Sequence, residues 1–220
     1  HYFENICAIP HGSGNTDGIS EFCVNFAREQ GLEYKKDALN NVIIKKAATA
    51  GYENHPTVIL QGHLDMVCEK TADCDIDFKK DGLRLVLTGD MLSADGTTLG
   101  ADDGIAVAMI LAVLEDETAA HPPLEALFTT DEETGMYGAE GVDVSALSGS
   151  TLINLDSGEE GVLTVGCAGG AKAYFKMPVE FCENTEPCVK ITVSGLLGGH
   201  SGIDINKGRL NADTIMGRLL

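Results

Sequence analysis

The chain has 220 residues, 44% of them apolar and 5% aromatic, with no Trp, which is enough for a sizeable core in one domain or in one and part of another. Its net charge of −19, from 15 Lys and Arg against 34 Asp and Glu, argues against a nucleic-acid or anionic-membrane partner and permits a bound cation. There is no low-complexity tract, and the longest apolar runs, such as Ile105 to Leu114, are far too short to span a bilayer.

The chain opens inside an expected helix, His1 to Cys7, so its true start is expected to lie upstream, and no signal peptide is visible. Ile19 to Gln30 reads as an amphipathic helix ended by Gly31. Asn41 to Ile44 and Thr57 to Leu60 read as strands, and Leu83 to Leu87 alternates like a half-exposed one. Asp103 to Glu115 is apolar enough to be a buried helix. Leu124 to Phe128 and Thr151 to Leu155 suit central strands. This alternation predicts an α/β sheet covered on both faces.

Charge changes along the chain. Residues 1–170 hold 9 basic and 29 acidic residues, whereas 171–220 hold 6 and 5. The shift follows Gly166-Cys167-Ala168-Gly169-Gly170, a plausible hinge, so the expected division is 1–170 and 171–220. In the second part, Ala171 to Phe181 and Val189 to Ser194 read as strands and Asn206 to Leu220 as a helix. The seven cysteines are odd in number and form no Cys-x-x-Cys, which fits reduced thiols in a cytosol better than an extracellular disulfide framework.

Four clusters close the strand signals or open the buried helix: Gly62-His63-Leu64-Asp65, Leu99-Gly100-Ala101-Asp102-Asp103-Gly104, Thr130-Asp131-Glu132-Glu133-Thr134-Gly135 and Asn154-Leu155-Asp156-Ser157. The carboxyl ends of strands in an open α/β sheet converge on the ligand crevice, so the four are expected to meet. Each has a plainer reading. His63 alone is an ordinary strand-end histidine, Asp102-Asp103-Gly104 a turn and helix cap, Asp131 to Glu133 a solvated run favouring a helix dipole, and Asp156 a turn residue. Together they are harder to dismiss, because converging carboxylates repel unless a cation offsets them. One His with several carboxylates suits Zn²⁺, with Mn²⁺ or Co²⁺ possible, and the surplus of carboxylates points to two ions. Gly198-Gly199-His200-Ser201-Gly202 reads first as a flexible turn. The Gly166 to Gly170 run lacks the ending of a phosphate loop, and no nucleophile-elbow serine or paired cysteine is present.

Three runs carry a resemblance: His63-Leu64-Asp65-Met66-Val67, Ala94 to Ile105 and Phe128 to Met136. They are similar to the dizinc metallopeptidases that include carboxypeptidase G, aminoacylase and carnosinase, and specifically to bacterial aminoacyl-histidine dipeptidases. Ile153 to Ser157 and Leu163 to Gly170 resemble the same group. The resemblance implies a mixed sheet covered by helices, followed by the start of a smaller α+β lid domain. It implies that His63 ligates one metal, Asp102 bridges two, Glu132 is the general base, Glu133 is the metal ligand beside it and Asp156 ligates the other metal. Asp65 orients His63, and the Asp102–Asp103 peptide is expected to be cis. His200 and, more weakly, Asn211 are expected to contact substrate, His200 from a partner subunit. The implied activity is hydrolysis of dipeptides such as β-alanyl-histidine by a cytoplasmic homodimer paired through its lid. The alternatives are a related deacylase or carboxypeptidase, or a metal-binding fragment without activity. Family members are twice this length and carry one further His ligand later in the chain, so residues 1–220 are expected to be an N-terminal piece.

Overall fold

The computed structural model describes residues 1–158, 161–167, 169, 173–183, 185–199 and 204–220. The chain divides into two compact units, His1–Cys167 and Ala168–Leu220.

The first unit opens with helices α1 (Tyr2–Cys7) and α2 (Asp17–Glu29), followed by strands β1 (Glu33–Lys36), β2 (Val42–Lys46) and β3 (Val58–His63). A hairpin of β4 (Leu85–Thr88) and β5 (Met91–Ala94) leads to helix α3 (Ala101–Glu115), strand β6 (Leu124–Thr129), the short helix α4 (Tyr137–Gly141) and strand β7 (Thr151–Asn154). The main sheet has the order β1-β2-β6-β3-β7. β1, β2 and β6 pair antiparallel, whereas β6-β3 and β3-β7 pair parallel, so the sheet is mixed. The parallel strands β3, β6 and β7 therefore release their chains at one edge of the sheet.

α1, α2 and α3 cover one face. Their Ile6, Ile19, Val24, Phe26, Ile110 and Leu111 pack with Val42, Ile44, Ala126 and Phe128 of the central strands. β6 is buried along its whole length, as a strand covered on both faces must be. The second face is more thinly covered: Ile43, Ile59 and Leu127 pack against Val142, Ala146 and Leu147. Among the described residues, no helix is long and apolar enough to cross a membrane.

Several expectations change. Thr151–Asn154 forms a strand but, among the described residues, pairs only with β3, so it lies at the edge of this sheet rather than at its centre. Its Leu152 and Ile153 are 51% and 41% exposed, because a strand bonded on one side has less to pack against. In the second unit, residues 173–181 and 189–194 form no strand; the rest of the Ala171 to Phe181 expectation lies outside the described residues. Phe175, Phe181 and Val189 stand almost fully exposed, so an apolar alternating run here has neither a partner ladder nor a core. The expected helix from Asn206 is shorter. A 3₁₀ turn at Ile205–Lys207 ends in left-handed Gly208, and helix α5 (Ala212–Leu219) begins only after Asn211. Among the described residues, β1, β5, α4 and a 3₁₀ turn at Val144–Ala146 went unanticipated.

Glu125 on β6 is a charged residue only 2% exposed. Its carboxylate accepts hydrogen bonds from the Ser148 amide (2.9 Å), the Ser148 hydroxyl (2.8 Å) and the Gly149 amide (3.0 Å), with the Lys45 ammonium at 3.3 Å. Burial alone would raise its pKa, but these donors outweigh burial and hold it below the ordinary value. It thereby clamps the segment before β7 to the sheet. A depressed native pKa contributes stability that is full above the unfolded pKa and is lost as pH falls through the folded one. Glu125→Gln is therefore expected to destabilise the fold by about 1–3 kcal/mol at pH 7, with a penalty that shrinks in acid. Urea melts of both proteins across pH would show this, and a pH-independent penalty would exclude an ionised clamp.

Candidate metal centre

The sheet edge gathers the strand-end clusters into one place. His63 ends β3 and is 1% exposed. Its Nε2 lies 3.1 Å from Asp102 Oδ1 and 3.9 Å from Asp156 Oδ2. Asp102 sits at the opening of α3, where Asp102 and Asp103 depart from helical geometry and the peptide between them is cis. Asp156 follows β7, and Glu132 and Glu133 occupy the turn after β6. Ligand atoms of His63, Asp102 and Asp156 lie within 4.8 Å of one another, as do those of His63, Glu132 and Glu133. The structure thus brings together His63, Asp65, Asp102, Glu132, Glu133 and Asp156. His200 lies outside the described residues. Asn211 belongs to the second unit, where its side-chain oxygen accepts the Thr214 amide at 2.9 Å and caps α5.

Main-chain geometry aims the ring. His63 Nδ1 is 2.8 Å from the Asp65 carbonyl oxygen and 3.5 Å from Asp65 Oδ1. A carbonyl can only accept, so Nδ1 carries a proton and Nε2 is left to face the carboxylates. The neighbouring Asp103 points the other way: it is 2% exposed, and its Oδ2 accepts the His63 amide at 3.1 Å. Gly62 makes this approach possible, since a Cβ there would stand 2.8 Å from that oxygen. Burial, only partly offset by the His63 amide and ring, pushes the Asp103 carboxyl up to about 7.

Asp65 is the anchor. Its side chain is fully buried. Oδ1 accepts the Glu132 amide at 3.0 Å, and Oδ2 accepts the Ser13 hydroxyl at 2.7 Å and the Glu133 amide at 3.3 Å. Burial opposes the charge, but the His63 ring, Ser13 and the Glu132 amide prevail and keep Asp65 below its usual range. The turn is braced twice more. Asp131 holds a positive φ of 54° and accepts the Gly14 amide at 2.6 Å. Asn41 Oδ1 accepts the Thr130 amide at 3.1 Å while its Nδ2 donates to the Gly138 carbonyl.

The charge of the cluster is unbalanced. Burial, followed by repulsion from neighbouring carboxylates, raises the pKa values of Glu132, Glu133 and Asp156. For His63, burial would lower the pKa, but the bond to and charge of Asp65, with Asp103 and Asp156, push it up to about 10. No Lys or Arg pairs with these carboxylates among the described residues. One imidazole nitrogen and several carboxylate oxygens at this spacing, short of positive charge, are a donor set that fits a divalent cation. Ser13, Gly14 and Asp103 were not anticipated as parts of the site. Asp103 was visible only as half of an Asp-Asp pair, and nothing local links Ser13 to a carboxylate 52 residues away.

No family model matches the chain. It is 44% identical, over 99% of its length, to the cytosol non-specific dipeptidase of Escherichia coli K12, and covers 45% of that protein. The crystal structure of aminoacylhistidine dipeptidase from Vibrio alginolyticus superposes with a TM-score of 0.75 at 40% identity, over all of this chain and 45% of that one. A tripeptidase from Staphylococcus aureus shares the fold at a TM-score of 0.60 and 22% identity, over 72% of this chain and 42% of that one. The chain spans about half the length of the curated relatives it matches.

With a pKa pushed up to about 10, the His63 ring is charged at pH 7, and a cation held at Nε2 would have to displace the proton there. Zinc uptake at pH 7 is expected to release about one proton from this ring and to tighten as pH rises. Calorimetry in buffers of different ionisation enthalpy measures that release. Uptake with no buffer dependence would remove His63 from the ligand set.

Proposed function

We propose that this chain is part of a metallopeptidase of the same family as these dipeptidases and that its protein hydrolyses dipeptides at the His63 centre, with Xaa-His substrates such as β-alanyl-histidine among them. The observation that carries this reading is the convergence of His63, Asp102, Glu132, Glu133 and Asp156 around one imidazole nitrogen. The chain would hold two zinc ions, or manganese or cobalt in their place, with His63, Asp102, Glu133 and Asp156 as the ligands. Such a pair supplies Lewis-acid polarisation of the scissile carbonyl and a more acidic water.

The protein's own groups do the rest. Glu132 takes the proton of the attacking water and returns it to the leaving amine. Its raised pKa suits that exchange, since burial and the neighbouring carboxylates make it a better base than a free glutamate. Asp65 fixes the Glu132 and Glu133 amides and the His63 ring together, so base and ligand keep their spacing. His1–Cys167 would be the catalytic, metal-binding unit and Ala168–Leu220 the start of a lid and dimerisation unit. From that unit, His200 of a second subunit and Asn211 would contact the substrate. The E. coli relative is a cytosol protein by name, in keeping with a cytoplasmic location for this one.

The two relatives' names differ in breadth, one non-specific and the other aminoacyl-histidine, which favours a dipeptidase that takes Xaa-His within a wider range over a deacylase or carboxypeptidase. Glu132→Gln is expected to cut dipeptide turnover by about 10²–10⁴-fold while metal uptake stays at the wild-type level. Hydrolysis of Xaa-His, other dipeptides, N-acyl amino acids and longer peptides, with metal content measured on the same samples, tests both claims. Wild-type turnover in the variant removes the base assignment, and preference for N-acyl amino acids removes the dipeptidase.

A further inference from the structure

The loop between α1 and α2, His11 to Asn15, borders the exit of β3, the opening of α3 and the turn after β6 without contributing a ligand. The His11 carbonyl accepts the Met66 amide at 3.1 Å, and Gly12 bridges Met66, so the loop runs beside the exit of β3. The His11 ring is 3% exposed and lies against Gly100, two residues before Asp102. The Asn15 amide closes a turn onto the Gly12 carbonyl at 2.8 Å. That turn presents the Ser13 hydroxyl to Asp65 and, through a Gly14 held at φ 76°, the Gly14 amide to Asp131.

We propose that Ser13 is a positioning residue of the metal centre, acting through Asp65; this rests on the metallopeptidase reading of that centre. Asp65 Oδ1 has one short donor, the Glu132 amide. Oδ2 has the Ser13 hydroxyl at 2.7 Å and the Glu133 amide at a long 3.3 Å. Removing the hydroxyl leaves Oδ2 with the weaker of its two bonds, and a buried carboxylate short of donors rotates toward others. Rotation moves Oδ1 away from His63 Nδ1 and slackens the amides of Glu132 and Glu133 in one motion. A ligand and the base are then displaced together, although Ser13 touches neither side chain.

The test compares zinc affinity, by competition with a chromophoric chelator, across Ser13→Ala, Ser13→Thr, Asp65→Asn and the double variant Ser13→Ala/Asp65→Asn. Ser20→Ala serves as control, since it removes another hydroxyl bond to a loop, 2.5 Å from the Asn40 carbonyl. Ser13→Ala is expected to weaken zinc binding about tenfold. Ser13→Thr is expected to restore it, and Ser20→Ala to leave it unchanged while lowering the melting temperature. In the Asp65→Asn background, Ser13→Ala is expected to add less than a twofold further loss, because the path runs through that carboxylate. Wild-type affinity in Ser13→Ala overturns the proposal, and so does a full tenfold loss on top of Asp65→Asn. If wild type and His63→Ala take up zinc equally, the metal-centre reading fails and the role of Ser13 fails with it.

Discussion

The centre depends on keeping one buried carboxylate ionised. An isolated charge with the burial of Asp65 would be expensive, and folding tolerates it only because hydrogen bonds satisfy its oxygens. Those bonds come from two segments far apart in sequence, the Ser13 loop and the Glu132-Glu133 turn, and the His63 ring stands 3.5 Å from Oδ1 on a third side. A carboxylate held from three sides is a fixed point. Distances between ligand and base are then set by the sheet and not by side-chain chance.

Around that point the fold accumulates charge it would otherwise avoid. Glu132, Glu133 and Asp156 all carry raised pKa values, and Asp103 is buried behind them. The repulsion is borne by the well-packed sheet beneath, where β6 is buried throughout and Val42, Ala126 and Phe128 are wholly enclosed. One residue in the same place, Asp131, holds a left-handed backbone at φ 54°. Like charge gathered over a rigid core is a cost to stability unless an opposite charge offsets it.

Much of this was legible in the sequence, for identifiable reasons. His63, Asp102, Glu132 and Asp156 each close a strand or open a helix whose hydrophobic pattern is strong. The rule that strand ends converge then places them together without any knowledge of pairing. Elements without such a pattern escaped. Glu33–Lys36 is a charged edge strand whose only signal is its antiparallel pairing with β2. The reverse error occurs at 173–181 and 189–194, where apolar runs look like strands but, among the described residues, form no ladder. Local alternation reports what a segment can bury, not whether a partner exists. Ser13 was illegible for a third reason, because a lone hydroxyl gains its role from a contact across 52 residues. Asp102 and Asp103 show the same limit at short range. The backbone turns the first outward, 71% exposed, and the second inward, and spacing treats them alike.

The proton on His63 joins the structural and chemical accounts. Because the Asp65 carbonyl can only accept, the ring keeps its proton on Nδ1 in either charge state, and the neutral ring presents a lone pair at Nε2 toward Asp102 and Asp156. Asp65 beside Nδ1, with Asp103 and Asp156, pushes the ring pKa up to about 10. Asp102 and Asp156 are the carboxylates that face Nε2. A cation bound there would compete with a proton for that one atom, in an orientation the fold has already chosen. The network around Asp65 thus fixes the ring's tautomer, its aim and the spacing of the base before any ligand arrives.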